Sequence, residues 1–272
     1  MNRQDIKLHA KGLIKTGQPR PVYVTIVYLA IITLINFIGF KLVGEAVNAI
    51  MQQSVVTVNN DFGTGFRSFY SYLDFDAFMS NLQASGPSSS SYLFYILLLV
   101  MMIILQAGYT IFALRTIDNS DASYWNLFDG FAMFFRIIWL YILEYILVFL
   151  WSLLFFIPGI IAMYRYRQAI YLLLENPEMS ALDCIRESKR LMRGHKWELF
   201  VFDLSFIGWL FLVGFLNGIG ASFGIEILSV IGLGVILECW VMPYRELSYA
   251  IYYRRLAAAD AAPAGDQWTP EF

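Results

Sequence analysis

Apolar runs about as long as a bilayer is thick constrain this chain more than any other feature. The stretches 22–43, 92–113, 131–157 and 197–216 are almost free of charge, and 225–253 is apolar over much of its length. At a helical rise of about 1.5 Å per residue, roughly 20 such residues cross the hydrocarbon of a bilayer. With 58% hydrophobic and only 15% charged residues, and a mean hydropathy of +0.58, the chain lies outside the range of ordinary soluble domains. The expected fold is therefore all-α: a polytopic transmembrane bundle of about six spans, forming one membrane domain over 21–256.

Local punctuation sets the spans. The first run follows a polar tail, 1–20, and is about twice the length of a secretory signal core, so it reads as an uncleaved helix. The second, 92–113, is broken only by Gln106. The third, 135–157, meets Pro158-Gly159, a pair expected to end the helix and make a tight reversal. The returning span, 160–175, is short and carries Arg165 and Arg167. The fifth, 197–216, leads through Gly218, Gly220 and Gly224 to a sixth, 225–253, which Pro243 should kink. The external loop, 44–91, ends in a Gly-Pro-Ser-rich linker, and its middle, 66–82, has the pattern of an interfacial helix with Phe69, Tyr70, Leu73 and Phe78 towards lipid. A flexible cytoplasmic tail is expected over 257–272.

Lysine and arginine set the orientation. Arg3, Lys7, Lys11, Lys15 and Arg20 precede the first span; Arg115 and Arg136 flank the second inner connection. Arg186, Lys189, Arg190, Arg193 and Lys196 fill the third, and Arg254 and Arg255 end the last helix. Only Lys41 and Arg67 fall on the other side. Under the positive-inside rule this bias alternates for six crossings with both termini cytoplasmic.

Several functions are disfavoured. A net charge of −2 and a pI near 5.7 give no footprint for nucleic acid. The two cysteines, Cys184 and Cys239, sit where no structural disulfide forms. His9 and His195 lie outside the expected spans, and no metal-ligand, Walker or Gly-x-Ser-x-Gly pattern is present. No metal, cofactor or catalytic residue is assigned, and the chain is expected not to be an enzyme.

Charges inside the spans carry more information, because an unpaired one is costly in hydrocarbon. Glu144, Arg167, Asp203 and Glu246 lie seven or eight residues from the inner ends of their helices, with Arg165 and Arg245 close by. At helical rise they share a depth of roughly 10 to 13 Å. Two readings stand side by side: a polar cavity for an ion, headgroup or amphiphile, or an ion-pair network that fixes helix register. In either case Glu144 and Asp203 are expected to face Arg165 or Arg167. The basic stripe of Arg186, Lys189, Arg190, Arg193 and Lys196 fits anionic headgroups, as does Arg3, Lys7, Lys11 and Lys15 in the tail. The same charges also set topology.

The segment 180–194 reads as a cytoplasmic amphipathic helix, capped by Ser180 with Asp183, ended by Gly194 and striped by Leu182, Ile185, Leu191 and Met192. Trp197 then marks the interface. Ser205 and Gly208 share a face of the next span that admits close packing. An offset of 57 lays Asp118–Ser123 over Glu175–Ser180 and Arg136 over Arg193, suggesting two parallel repeats of helix, short cytoplasmic segment, helix.

Ser188-Lys189, Leu191-Met192, Gly194-His195-Lys196, Leu199-Phe200 and Leu204 to Trp209 form a pattern with Pro158-Gly159-Ile160, Tyr164, Tyr166, Pro243-Tyr244 and Tyr252-Tyr253. It resembles a widespread bacterial family of multi-pass membrane proteins of unknown function, common in Gram-positive species, over roughly 92–256. The resemblance implies a multi-pass protein of the bacterial plasma membrane and carries no activity or catalytic residue. The family is distantly similar to the membrane region fused to some glycerophosphodiester phosphodiesterases, which hints at lipid-related work. The expected function is to bind or move a small amphiphile or lipid, or to modulate the membrane's response to one. A scaffold or accessory subunit, through a membrane-protein partner or a second copy, is the alternative, and an intramembrane lipid hydrolase the third.

Overall fold

A computed structural model of the 272-residue chain describes residues 3–38, 89–222 and 234–261. Every regular element among them is helical: α1 (Arg3–Thr16), α2 (Pro21–Ile38), α3 (Ser89–Ile117) and α4 (Asn126–Asp129) with a following 3-10 turn (Gly130–Met133). Then come α5 (Phe134–Leu154), α6 (Phe156–Tyr166), α7 (Ala169–Glu175), α8 (Ala181–Leu191), α9 (Lys196–Ser222) and α10 (Val235–Ala261). Four stretches among the described residues are long and apolar enough to cross a membrane: Pro21–Ile38, Ile96–Ile117, Asn126–Leu154 and Lys196–Ile219. They mark the chain as a membrane protein. On α5, Phe135 is 83% exposed and Trp139, Phe149, Leu150 and Leu153 are exposed too, an apolar surface that lipid covers and water would not tolerate. The expected loop 44–91 with its interfacial helix lies outside the described residues except for 89–91, which begin α3, and so do the first part of the expected sixth span and the tail from 262.

The chain forms two units. One comprises Met1–Thr25, Ile104–Ser205 and Val241–Phe272. Its core is aromatic and aliphatic, with Tyr109, Phe112, Leu127, Ile137, Phe202, Tyr252 and Tyr253 almost wholly buried. The polar tips of this core find partners, as when Thr25 and Tyr109 share a hydroxyl hydrogen bond of 2.5 Å. The other unit comprises Ile26–Ile103 and Phe206–Trp240. In its described part Ile35 and Phe206 are buried, and the Gly234 N–H donates to Asn217 Oδ1 at 2.7 Å.

Three expectations change. Residues 3–16 form an amphipathic helix, α1, whose Ile6, Ala10 and Leu13 are buried, because apolar residues at spacings of three and four give it a face to dock. The reversal after the third span falls at Phe155, which is extended (φ −161°, ψ 153°), and Pro158-Gly159 sits within the first turn of α6. Proline is tolerated there because first-turn N–H groups have no helical acceptor. Gly159 is required by the close approach of the two helices: a Cβ on it would lie 2.1 Å from Ser152 Oγ. The expected span 160–175 is two helices, broken at Arg167-Gln168. The sixth helix holds Pro243 inside it, and its described part is not one of the four stretches long and apolar enough to cross a membrane.

Candidate functional site

The break between α6 and α7 is built from both sides. A continuous helix would satisfy the Gln168 N–H with a carbonyl one turn earlier. Here the Gln168 N–H donates to Ser188 Oγ at 3.1 Å, and that hydroxyl donates to the Arg165 carbonyl at 2.9 Å. A buried hydroxyl from α8 is thus spliced into the ladder of the broken helix. Gln168 Nε2 also reaches Met192 Sδ at 3.7 Å. Ser188 and Met192 are held there by the buried face of α8, which Ala181, Cys184, Ile185 and Leu191 complete. Leu182 is 49% exposed and falls outside that face, about 100° round the helix from Ala181. The ends of α8 are as expected: Ser180 Oγ accepts from the Asp183 N–H at 3.2 Å, and Gly194 takes a left-handed φ of +81°.

Across the break lies an ion pair. Arg167 Nη1 is 2.7 Å from Asp203 Oδ2 on α9, and the same oxygen accepts from the Tyr164 hydroxyl at 2.9 Å. The Arg167 guanidinium stands 4.4 Å from the centroid of the Tyr249 ring, so one face of the cation is covered by an aromatic from α10. Phe202 meets Tyr249 edge-on at 5.8 Å and stacks on Tyr252 at 5.9 Å. On that aromatic wall rests α1, with Lys7 Nζ 5.8 Å from the Phe202 ring and Lys11 Nζ 5.8 Å from that of Tyr244. Burial, and then Lys11 and Arg3, lower the proton affinity of Lys7.

The expected layer is assembled in part. Arg167 and Asp203 pair, and Arg245 pairs with its neighbour Glu246 at 3.3 Å. Glu144 pairs with neither Arg165 nor Arg167, contrary to expectation; its Oε1 is sealed and without a hydrogen-bond partner. Arg165 instead sets its guanidinium over the Trp151 ring at 5.7 Å, with Nε unpartnered. Helical phase is the reason: residues two apart point about 200° away from each other, so Arg165 and Arg167 cannot serve one site.

The basic stripe of α8 is less free than its sequence implies. Arg186 pairs with Asp183 at 2.7 Å, and Arg190 is held between Glu187 and Asp260, which raise its already high pKa. Lys189 and Arg193 help line an open concavity of about 460 Å³ along α8 and the turn after it. A second charged cluster was not anticipated. Arg254 of α10 engages both Asp118 and Glu175, the Tyr253 hydroxyl donates to Glu175, and Arg115 pairs with Asp129 at 3.0 Å. The signal that could have found it is the repeat, since Asp118 and Glu175 are one of the two acid pairs that the offset of 57 superposes, Asp121 and Glu178 being the other. Among the described residues no group of histidine, cysteine and acidic side chains is placed to hold a metal ion.

An all-helical membrane domain with a discontinuous helix at an ion pair is the class these features define. Residues 153–260 match the model of a family described as "Protein of unknown function (DUF975)". That stretch is under half of the chain, and it holds the break, Ser188, the Arg167–Asp203 pair and Arg254. No curated protein and no solved structure matches the chain.

Proposed function

We propose that this is a non-enzymatic, six-span protein of the plasma membrane, with both termini cytoplasmic, that binds or moves a small amphiphile or lipid. The observation that carries the reading is the break at Arg167-Gln168. Irregular backbone at membrane depth is tolerated where protein buries it or a cavity hydrates it, and broken helices with charged side chains mark binding regions in membrane transporters. A guanidinium shared between Asp203 and a tyrosine ring is suited to exchange its carboxylate for the phosphate or carboxylate of a ligand, while the apolar wall takes the ligand's hydrocarbon. Lys189 and Arg193 supply the second contact, with anionic headgroups at the membrane surface.

Lipid retained through purification tests this. Replacing Arg167 by Gln together with Asp203 by Asn removes the pair without stranding a charge. We expect the double variant to lose a specific retained amphiphile, and Lys189→Gln with Arg193→Gln to lose anionic lipid. Unchanged lipid composition by mass spectrometry in both variants would overturn the reading. A scaffold role is the second reading, supported by Gly208 and Gly214, at which an added Cβ meets nothing within 4 Å among the described residues. A partner protein retained in constant ratio and lost in Gly214→Leu would favour it.

A further inference from the structure

Glu144 is the member of the expected layer that the structure sets apart. It lies on the inward seam of α5, in helical register with the buried Ile137 and Leu140, while Trp139, Ile142, Tyr145 and Ile146 are exposed. Its Oε1 is closed off from the surface and meets no donor.

No ion pair or hydrogen bond to Glu144 Oε1 comes from the elements packed against α5, whose ionisable groups are Tyr164, Arg165 and the buried Tyr166 on α6, Tyr171 and Glu175 on α7, and Asp183, Cys184, Arg186, Glu187, Lys189 and Arg190 on α8. The 3-10 turn carries none. On α6, Tyr164 is committed to Asp203 and Arg165 to the Trp151 ring. On α7, Tyr171 stacks on Tyr253 at 4.9 Å, and Glu175 engages Arg254. On α8, Asp183 is paired with Arg186, Glu187 with Arg190, and the exposed Lys189 points away from the buried face. The group that feels Glu144 is Cys184, wholly buried, whose thiol is pushed up to about 11 by burial first, then Asp183, with Glu144 adding to it. A thiol is no counter-ion. Ionising a carboxyl whose Oε1 is sealed without a donor costs the solvation of that oxygen, which favours the protonated form.

We propose that Glu144 is a proton-binding site inside the membrane domain. It holds a proton at neutral pH and gives it up to water or to a basic ligand when Oε1 is opened to one. As the coupling ion for movement of an amphiphile, the proton rests on the function proposed above; as a bound proton it does not.

Dicyclohexylcarbodiimide tests the site without any substrate, so its failure and the failure of lipid binding are separate results. The reagent partitions into apolar surroundings and adds to a protonated carboxyl; the O–H proton moves to nitrogen and the acyl group migrates to leave a stable N-acylurea. Full-length protein in phosphatidylcholine nanodiscs is treated from mildly acidic to alkaline pH and its peptides are read by mass spectrometry. An adduct on Glu144 that declines as pH rises, and is lost in Glu144→Gln, is the expected result. Protein with an unchanged circular dichroism spectrum that carries no Glu144 adduct at any pH overturns the proposal, and so does a yield independent of pH. The decisive measurement is on the unaltered chain, so a poorly folded Glu144→Gln does not blunt it.

Discussion

Ser188 shows how much of this site rests on a single small side chain. Its hydroxyl accepts from the Gln168 N–H and donates to the Arg165 carbonyl, and it is wholly buried. Removing it strands two backbone groups, and an unsatisfied buried polar group costs about 1–3 kcal/mol. Ser188→Ala is therefore expected to lower the midpoint of thermal unfolding in detergent by several degrees. An unchanged midpoint would mean that water takes over the splice and that the serine is dispensable. The sequence did not make this role legible, because a serine beside a basic stripe reads as a polar surface residue and its partner lies 20 positions away. Asp203 with Arg167 was legible, since a lone charge at that depth needs a partner. The placement of Arg165 and Glu144 was not, because a common depth says nothing about azimuth, and helical phase decides which charges meet.

At the scale of elements, local chemistry predicted the helix with the clearest caps. Ser180, Asp183 and Gly194 bound α8 because capping needs only neighbouring residues. Pro158-Gly159 misled for the same local reason: proline is as much at home in the first turn of a helix as after its last, and the sequence alone does not say which. The docking of α1 was half visible, in its basic repeat, while the aromatic partners of Lys7 and Lys11, Phe202 and Tyr244, lie about 200 positions further on. The packing of α8 has a pH signature. The folded state holds the Cys184 thiol near 11, above its ordinary value of 9.0, so between these values the unfolded chain releases a proton that the folded chain keeps. The unfolded state binds fewer protons there, and stability falls as pH rises through that window. Chemical denaturation at rising alkaline pH is expected to show the decline in the native chain and a smaller one in Cys184→Ala. Equal slopes would mean that the thiol reaches solvent and that α8 is not seated as described.

For the whole molecule, the two segments related by the offset of 57 meet through their first acidic residues. Ser123 Oγ accepts from the Trp125 N–H at 3.0 Å, two residues on, just before α4, whereas Ser180 caps α8 by accepting from the Asp183 N–H, three residues on, so the local turns differ in detail. Asp118 and Glu175 meet on the Arg254 guanidinium. In the six-span topology proposed above, both turns lie on the same side of the membrane, as the positive-inside rule expects. Membrane sidedness is open to a direct measurement. With Cys239 replaced and Cys184 buried, single cysteines at Ser120 and Met179 are expected to be shielded in intact cells from an impermeant maleimide, and to react once the membrane is permeabilised. A cysteine at Ser88, between the first two spans, is expected to react from outside without permeabilisation. The Met179 position discriminates most, because the broken pair α6 and α7 either carries the chain back across the bilayer or dips in and leaves on the side it entered. Labelling of Met179→Cys from outside, with Ser120→Cys still shielded, would make that pair re-entrant and reduce the crossings. The charges on α8 would then face outward against the positive-inside rule, and the anionic-surface contact of Lys189 and Arg193 would lose its basis.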